Sequence, residues 1–429
     1  MHMAGILALL TVAGLIGALL GLNAKDLMSF IKNLWQKYSA SRSRKRASLA
    51  ATHFTPEGVV SVPGRFYGSS VRVRELSQYV LTVNGRKLPT TIYFGPRHLG
   101  IDTPPLNLDM RLLRADKTRP AEEPALKAVQ NYGRVITARL VEMGVKVWDE
   151  PQYRLMDFSD NPHVFCFSET RFRNYRFTSG LLADELEDAL IECKGDPERI
   201  LRRHRSLPIR RALLPDPDSL VSPAQRECCG GIGVVFAMRR KTIEYDDYAF
   251  PVQLRSDQVS DQRGLYAVIP KGFHGPSVDP SIEVNVHWTV FRELYEELAG
   301  GEEVEHKGTR LKHDWYFDEC EALRWFKKHE GWRCEVVAFG LNALAGNYEF
   351  AILLVIEDPS YWEQFGSKLE RNWEAENVRF FSSTKPNKLA GLLLDHKWAG
   401  ESLFHIAEAL WRLRAIDREH VALPEISRP

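Results

Sequence analysis

Residues 3–22 carry no charge; every position is apolar, small or Thr. As a helix rising about 1.5 Å per residue, a run of this length crosses a hydrocarbon core about 30 Å thick. Three readings compete for it. A cleaved signal peptide opens with a positive region, and only Met1 and His2 come before this run; no small-residue cleavage site follows near Asn23-Ala24. A buried core helix is seldom so uncharged and so rich in Gly, Ala and Leu at a chain terminus. The segment is therefore read as a membrane anchor. Lys25, Lys32, Lys37, Arg42, Arg44, Lys45 and Arg46 follow it and no Lys or Arg precedes it, so the positive-inside rule places the rest of the chain in the cytoplasm. Phe30, Ile31, Leu34 and Trp35 interleave with the lysines, as in a short interfacial helix.

With 1–24 as anchor and 25–53 as a basic juxtamembrane linker, the 429-residue chain has room for two soluble domains. The net charge of +1 gives no reason to expect nucleic acid as a partner. Six cysteines without C-x-x-C spacing read as reduced, mostly buried thiols. Residues 54–215 mix short β-rich and helical runs, as a small α/β domain would. Strands at 79–83 and 91–94 flank Asn84-Gly85, a strong hairpin signal. Helices are expected at 125–143, ended by Gly144 and followed by a strand at 145–148, and again at 181–193. The basic stretch 202–211 reads as a solvated helix face. Pro215, Pro217 and Pro223 with Asp216 and Asp218 mark a boundary, beyond which a domain at 216–425 is expected to fold alone.

In that second region strands are expected at 231–239, 249–254 and 265–269, then a helix from near Pro280, capped by Asp279, to Leu298. Gly300-Gly301 stops it. Strands at 335–341 and 349–356 join through a turn at Gly346, and a last helix covers 402–416. The first of these helices carries the chemistry. Glu293, Glu296 and Glu297 stand at i, i+3 and i+4 and share a face, opposite Val284, Trp288, Phe291, Tyr295 and Leu298. Three like charges so close call for a cation. Arg292 offsets one, and Mg²⁺ or Mn²⁺ suits the rest, because hard cations take carboxylate oxygen. The competing reading is an ordinary amphipathic helix with a solvated acidic face.

The run Tyr266-Ala267-Val268-Ile269-Pro270-Lys271-Gly272, followed by the helix bearing Arg292-Glu293-Leu294-Tyr295-Glu296-Glu297, resembles the Nudix family over about residues 229–414. Residues 252–256, 336–350 and 376–381 resemble the family's neighbouring strands. The resemblance implies an α/β/α sandwich around a mixed sheet, preceded here by the small α/β domain and the anchor. It implies hydrolysis of a nucleotide-derived diphosphate with Mg²⁺ or Mn²⁺. Glu293, Glu296 and Glu297 would be metal ligands or catalytic base, Arg292 would steady the carboxylates, and Gly272 would let the loop approach the helix. The sequence departs from the family pattern at Ala299, where a glycine is usual, at Val284, where a glutamate is usual, and at Lys271; its loop to Arg292 is also longer. Glu349 is a further candidate acid. His274 and His287 receive no role, and Trp315, Trp325 and Trp332 are read as packing in preference to base-stacking. Three functions follow: a membrane-held hydrolase, a nucleotide-sensing module that has lost turnover, and an anchored scaffold.

Overall fold

Asn84 and Gly85 turn the chain with φ of 48° and 78°, the paired positive values that a two-residue hairpin requires. They join β1 (Leu76–Val83) to β2 (Arg86–Phe94), and β3 (Leu99–Thr103) and β4 (Asp109–Leu112) follow. The computed structural model describes residues 62–63, 70–71, 75–113, 123–142, 149–160, 163–202, 207–256, 262, 264–276, 284–301, 314–366, 368–369 and 375–429. The expected anchor and linker, the strand at 145–148 and the helix start at Asp279-Pro280 lie outside these residues. Among the described residues, no helix is long and apolar enough to cross a membrane.

The chain continues through α1 (Glu123–Glu142), β5 (Pro151–Asp160), β6 (His163–Arg171), α2 (Phe172–Arg176), α3 (Leu181–Glu192) and α4 (Pro208–Leu213). Next come β7 (Gly231–Lys241), β8 (Asp246–Arg255), β9 (Tyr266–Val268), β10 (Lys271–Phe273) and α5 (Val286–Leu298). Further along are α6 (Glu321–Lys328), β11 (Trp332–Asn342), β12 (Asn347–Ile356), β13 (Ala375–Ser382), α7 (Pro386–Leu393) and α8 (Gly400–Ile416). The fold is mixed α+β with open sheets. One large sheet runs β1-β2-β11-β12-β7-β8-β9, with β3 on β11, β10 on β7 and β13 on β8; β4, β6 and β5 form a small second sheet. Within the large sheet β12 and β7 are parallel, Glu349 opposite Gly231 and Ile356 opposite Met238.

This sheet runs across the stretch expected as a domain boundary. Tyr93 and Ile92 of β2 pair with Leu341 and Asn342 of β11. Residues 213–223 fold into short helical turns, one capped by Asp216, whose carboxylate accepts the Ser219 N–H at 2.7 Å.

Side-chain alternation in the central strands explains the layers. Ile232, Val234, Phe236 and Met238 of β7, with Phe350, Ile352 and Leu354 of β12, pack with Val290, Phe291, Leu294 and Leu298 of α5. Val235, Ala237, Ala351, Leu353 and Val355 pack with Phe404, Ile406, Ala407, Leu410 and Leu413 of α8. Helices α5 and α8 thus cover opposite faces.

Two expectations need correction. Helix α5 starts at Val286 and not near Pro280, because the Asn285 side chain accepts the His287 N–H at 2.8 Å and caps the helix there. Arg210 is not part of a solvated face. It is buried, and its guanidinium donates to the Ala343 and Leu344 carbonyls at 2.7 and 2.9 Å, tying α4 to the turn after β11.

Candidate functional site

The three residues of β10 organise the site. They pair with β7, Lys271 opposite Gly233 and Phe273 opposite Gly231. Alternation along a strand sends Lys271 and Phe273 to one side and Gly272 to the other, toward α5. There Glu293 presses on Gly272 so closely that a Cβ would lie 2.0 Å from its carboxyl carbon, so only glycine fits without movement.

Glu293 and Glu297, one helical turn apart, both lean on this strand. Glu297 accepts the Lys271 N–H at 3.0 Å. Arg292 donates to Glu293 at 2.7 Å and to the Phe273 carbonyl at 3.0 Å, which clamps α5 to β10. Burial would lower the Arg292 pKa, but Glu293 and Glu296 outweigh it and hold the guanidinium above its ordinary range. Glu293 is 9% exposed and Glu297 2%, while Glu296 is half-buried. The solvated-face reading therefore fails for two of the three acids. On the opposite stripe Val284, Phe291 and Leu298 are buried, and Trp288 and Tyr295 are half-buried.

The neighbours are mostly structural. His274 is buried, its Nδ1 3.1 Å from the Tyr348 hydroxyl; burial, reinforced by Arg292, pushes its pKa down to about 3, so the ring is neutral. Trp325 stacks on His329 and packs edge-on against Tyr361, and the Trp332 indole donates to the Phe326 and His329 carbonyls. Trp315 packs edge-on against Tyr295.

Among the described residues, no three His, Cys, Asp or Glu side chains gather into a group able to hold a metal ion. Glu349 does not join the acids of α5. It alternates with Ala351 and Leu353 toward α8, where it accepts from Asn347 at 2.8 Å and lies 3.4 Å from His405 Nε2. What α5 offers is an ordered carboxylate pair with a third, more accessible acid beside it.

A second set of polar residues escapes the sequence reading. Helix α8, otherwise apolar where it meets the sheet, carries buried Glu401, His405 and Glu408 and half-buried Arg412. They stand at i, i+4, i+7 and i+11, one face of a helix. Each meets a side chain from elsewhere. Lys271 lies 2.8 Å from Glu401 and Glu349 3.4 Å from His405. The Tyr79 hydroxyl and Arg428 donate to Glu408 at 2.7 and 2.6 Å, and Arg412 donates to Glu335 at 2.7 Å. His405 also needs a glycine: a Cβ on Gly233 would lie 1.9 Å from its Nδ1. The helical spacing of these polar residues was the available signal.

The chain matches no protein-family model and no curated protein.

Proposed function

We propose that the C-terminal half is a Nudix-like α/β/α sandwich that binds a nucleotide-derived diphosphate with Mg²⁺ or Mn²⁺ and hydrolyses it, held at a membrane by residues 3–22. The observation that carries this reading is the convergence of Glu293 and Glu297 on Lys271 and Gly272, with Arg292 bridging helix and strand. Arg292 and the β10 backbone fix the carboxylates before any ligand arrives, which avoids reorganisation at the moment of reaction. Glu296 and Glu297 would hold the cation, and Glu293, oriented by Arg292, would take a proton from the attacking water. The cation, when bound, neutralises the diphosphate and lowers the pKa of that water.

A second reading, ligand sensing without turnover, is favoured by one observation: Glu293 and Glu297 already make hydrogen bonds to Arg292 and to the β10 backbone. One experiment separates the two. The full chain in detergent is incubated with a panel of nucleoside diphosphate derivatives and Mg²⁺ or Mn²⁺. Cleavage that Glu296→Gln and Glu297→Gln each reduce by orders of magnitude supports hydrolysis. A metal- and diphosphate-dependent rise in melting temperature without cleavage supports sensing. Identical melts for wild type and both variants under all conditions reject both.

A further inference from the structure

Lys271 reaches both faces of the large sheet. Its N–H donates to Glu297 of α5 at 3.0 Å, and its ammonium lies 2.8 Å from Glu401 of α8. The ammonium also donates to the Gln262 side chain at 2.9 Å, and Gln262 in turn donates to Glu401. One residue thus connects an acid of the candidate site to a buried acid on the opposite face.

The position of β10 in the sheet gives this link its consequence. The Pro270 carbonyl and the His274 N–H bond to Val234 and Gly230, so this part of the chain is laddered to β7 along one edge. Alternation turns the backbone groups of Lys271 and Phe273 to the other edge. There side chains of α5 stand where a neighbouring strand would: Glu297 accepts the Lys271 N–H, and Arg292 donates to the Phe273 carbonyl. A three-residue strand laddered on one edge can still tilt about that edge unless its side chains prevent it. Gly272 has none. Phe273 packs on Phe172 and Tyr175, ring centroids 5.1 and 5.2 Å away, and Lys271 is tied to Glu401. A buried ion pair resists separation strongly, because parting it leaves a charge uncompensated.

We infer that Lys271 and Glu401 are positioning residues for the acid site: their ion pair on the α8 face sets the tilt of β10 and so holds the Glu297 carboxylate in place on the α5 face. Glu401 itself touches no ligand there and acts only through Lys271. The link stands on the hydrogen bonds alone; its effect on a cation rests on the metal-binding reading above.

Hydrogen exchange at the residue 271 amide, followed by NMR on the full chain in detergent, tests the link. Glu401→Gln should speed that exchange about tenfold relative to the Leu353 amide of the central strand, the factor for losing one hydrogen bond to a charged group. Glu408→Gln changes an equally buried acid of the same helix and should leave the ratio unchanged. Lys271→Met should act as Glu401→Gln does, and Lys271→Arg, which keeps the cation, should restore the ratio. If a single variant does not fold, Lys271→Met combined with Glu401→Gln removes both charges and should raise the ratio equally. The inference is overturned if these variants exchange as wild type does, or if Glu408→Gln raises the ratio as much. Mn²⁺ titration of the same proteins reads the consequence: Glu401→Gln should weaken binding about 10- to 100-fold, as loss of a residue that orients a metal ligand does, and Glu408→Gln should not. Faster exchange in Glu401→Gln with no Mn²⁺ binding by wild type supports the link and rejects the metal reading. Mn²⁺ binding that Glu401→Gln leaves unchanged rejects the positioning role and keeps the metal reading.

Discussion

Helices α5 and α8 cover opposite faces of one sheet, and each buries acidic side chains that hydrophobic patterning alone would send to water. Their solutions differ. On α5, Glu293 and Glu297 lie against a neighbouring strand, and Arg292 of the same helix holds Glu293 there. On α8, Glu401, His405, Glu408 and Arg412 each meet a side chain far away in sequence: Lys271 is 130 residues from Glu401, and Tyr79 is 329 from Glu408. A row satisfied at long range fastens the fold, because each partner arrives only when the distant strands do.

The largest test of this contrast removes the N-terminal strands. A chain beginning at residue 216 loses Tyr79 from Glu408 and β2 from the edge of β11. It should show no cooperative melt, whereas the same chain co-refolded with residues 54–215 should recover one. A truncated chain that melts sharply would show that α8 does not depend on its distant partners. Next in size, Glu401→Ala leaves Lys271 facing a buried void and should cost about 3 kcal/mol or more in urea unfolding. Glu296→Gln on α5, half-buried, should cost about 0.5 kcal/mol or less in the same assay. Equal losses would erase the distinction between the helices. Smaller again is the difference between two glycines. Gly233→Ala and Gly272→Ala should each cost about 1–3 kcal/mol by overpacking. Gly233→Ala should be the worse, since the His405 ring has no exposed surface to move into while Glu293 has some.

Much of the C-terminal half was legible from sequence. The strands at 231–239 and 349–356, the Gly346 turn and the last helix all lie within observed elements, because continuous apolar runs and glycine punctuation depend on local chemistry. The shared face of Glu293, Glu296 and Glu297 was legible for the same reason. The place of Glu349 was not. Its side follows from strand register, and register depends on pairing with Gly231, which lies in a distant strand. Nor was the continuity of the sheet across residues 213–223. Proline-rich turns look alike whether they separate two domains or merely change direction within one. The role of Arg210 was hidden too, since a buried arginine is identified only by the carbonyls it reaches.

The last and smallest effect concerns pH and sets two acids of α8 against each other. Burial would raise the Glu401 pKa, but Lys271 overrides it and holds the carboxyl below the ordinary glutamate range. For Glu408 burial wins: its pKa is raised despite Arg428 and the Tyr79 hydroxyl. The signs of linkage are therefore opposite. Glu401 contributes stability that is present above its unfolded pKa, about 4.3, and is lost as pH falls through its lower folded value. Glu408 contributes stability that is present below about 4.3 and is lost as pH rises through its higher folded value. Urea titrations of wild type, Glu401→Gln and Glu408→Gln from acid to neutral pH measure both. Glu401→Gln should flatten the loss of stability on the acid side. Glu408→Gln should remove a decline on the neutral side, because a neutral amide no longer releases a proton there. If instead both variants change only the acid limb, Glu408 ionises as freely as an exposed carboxylate, and Arg428 balances it more fully than burial opposes it.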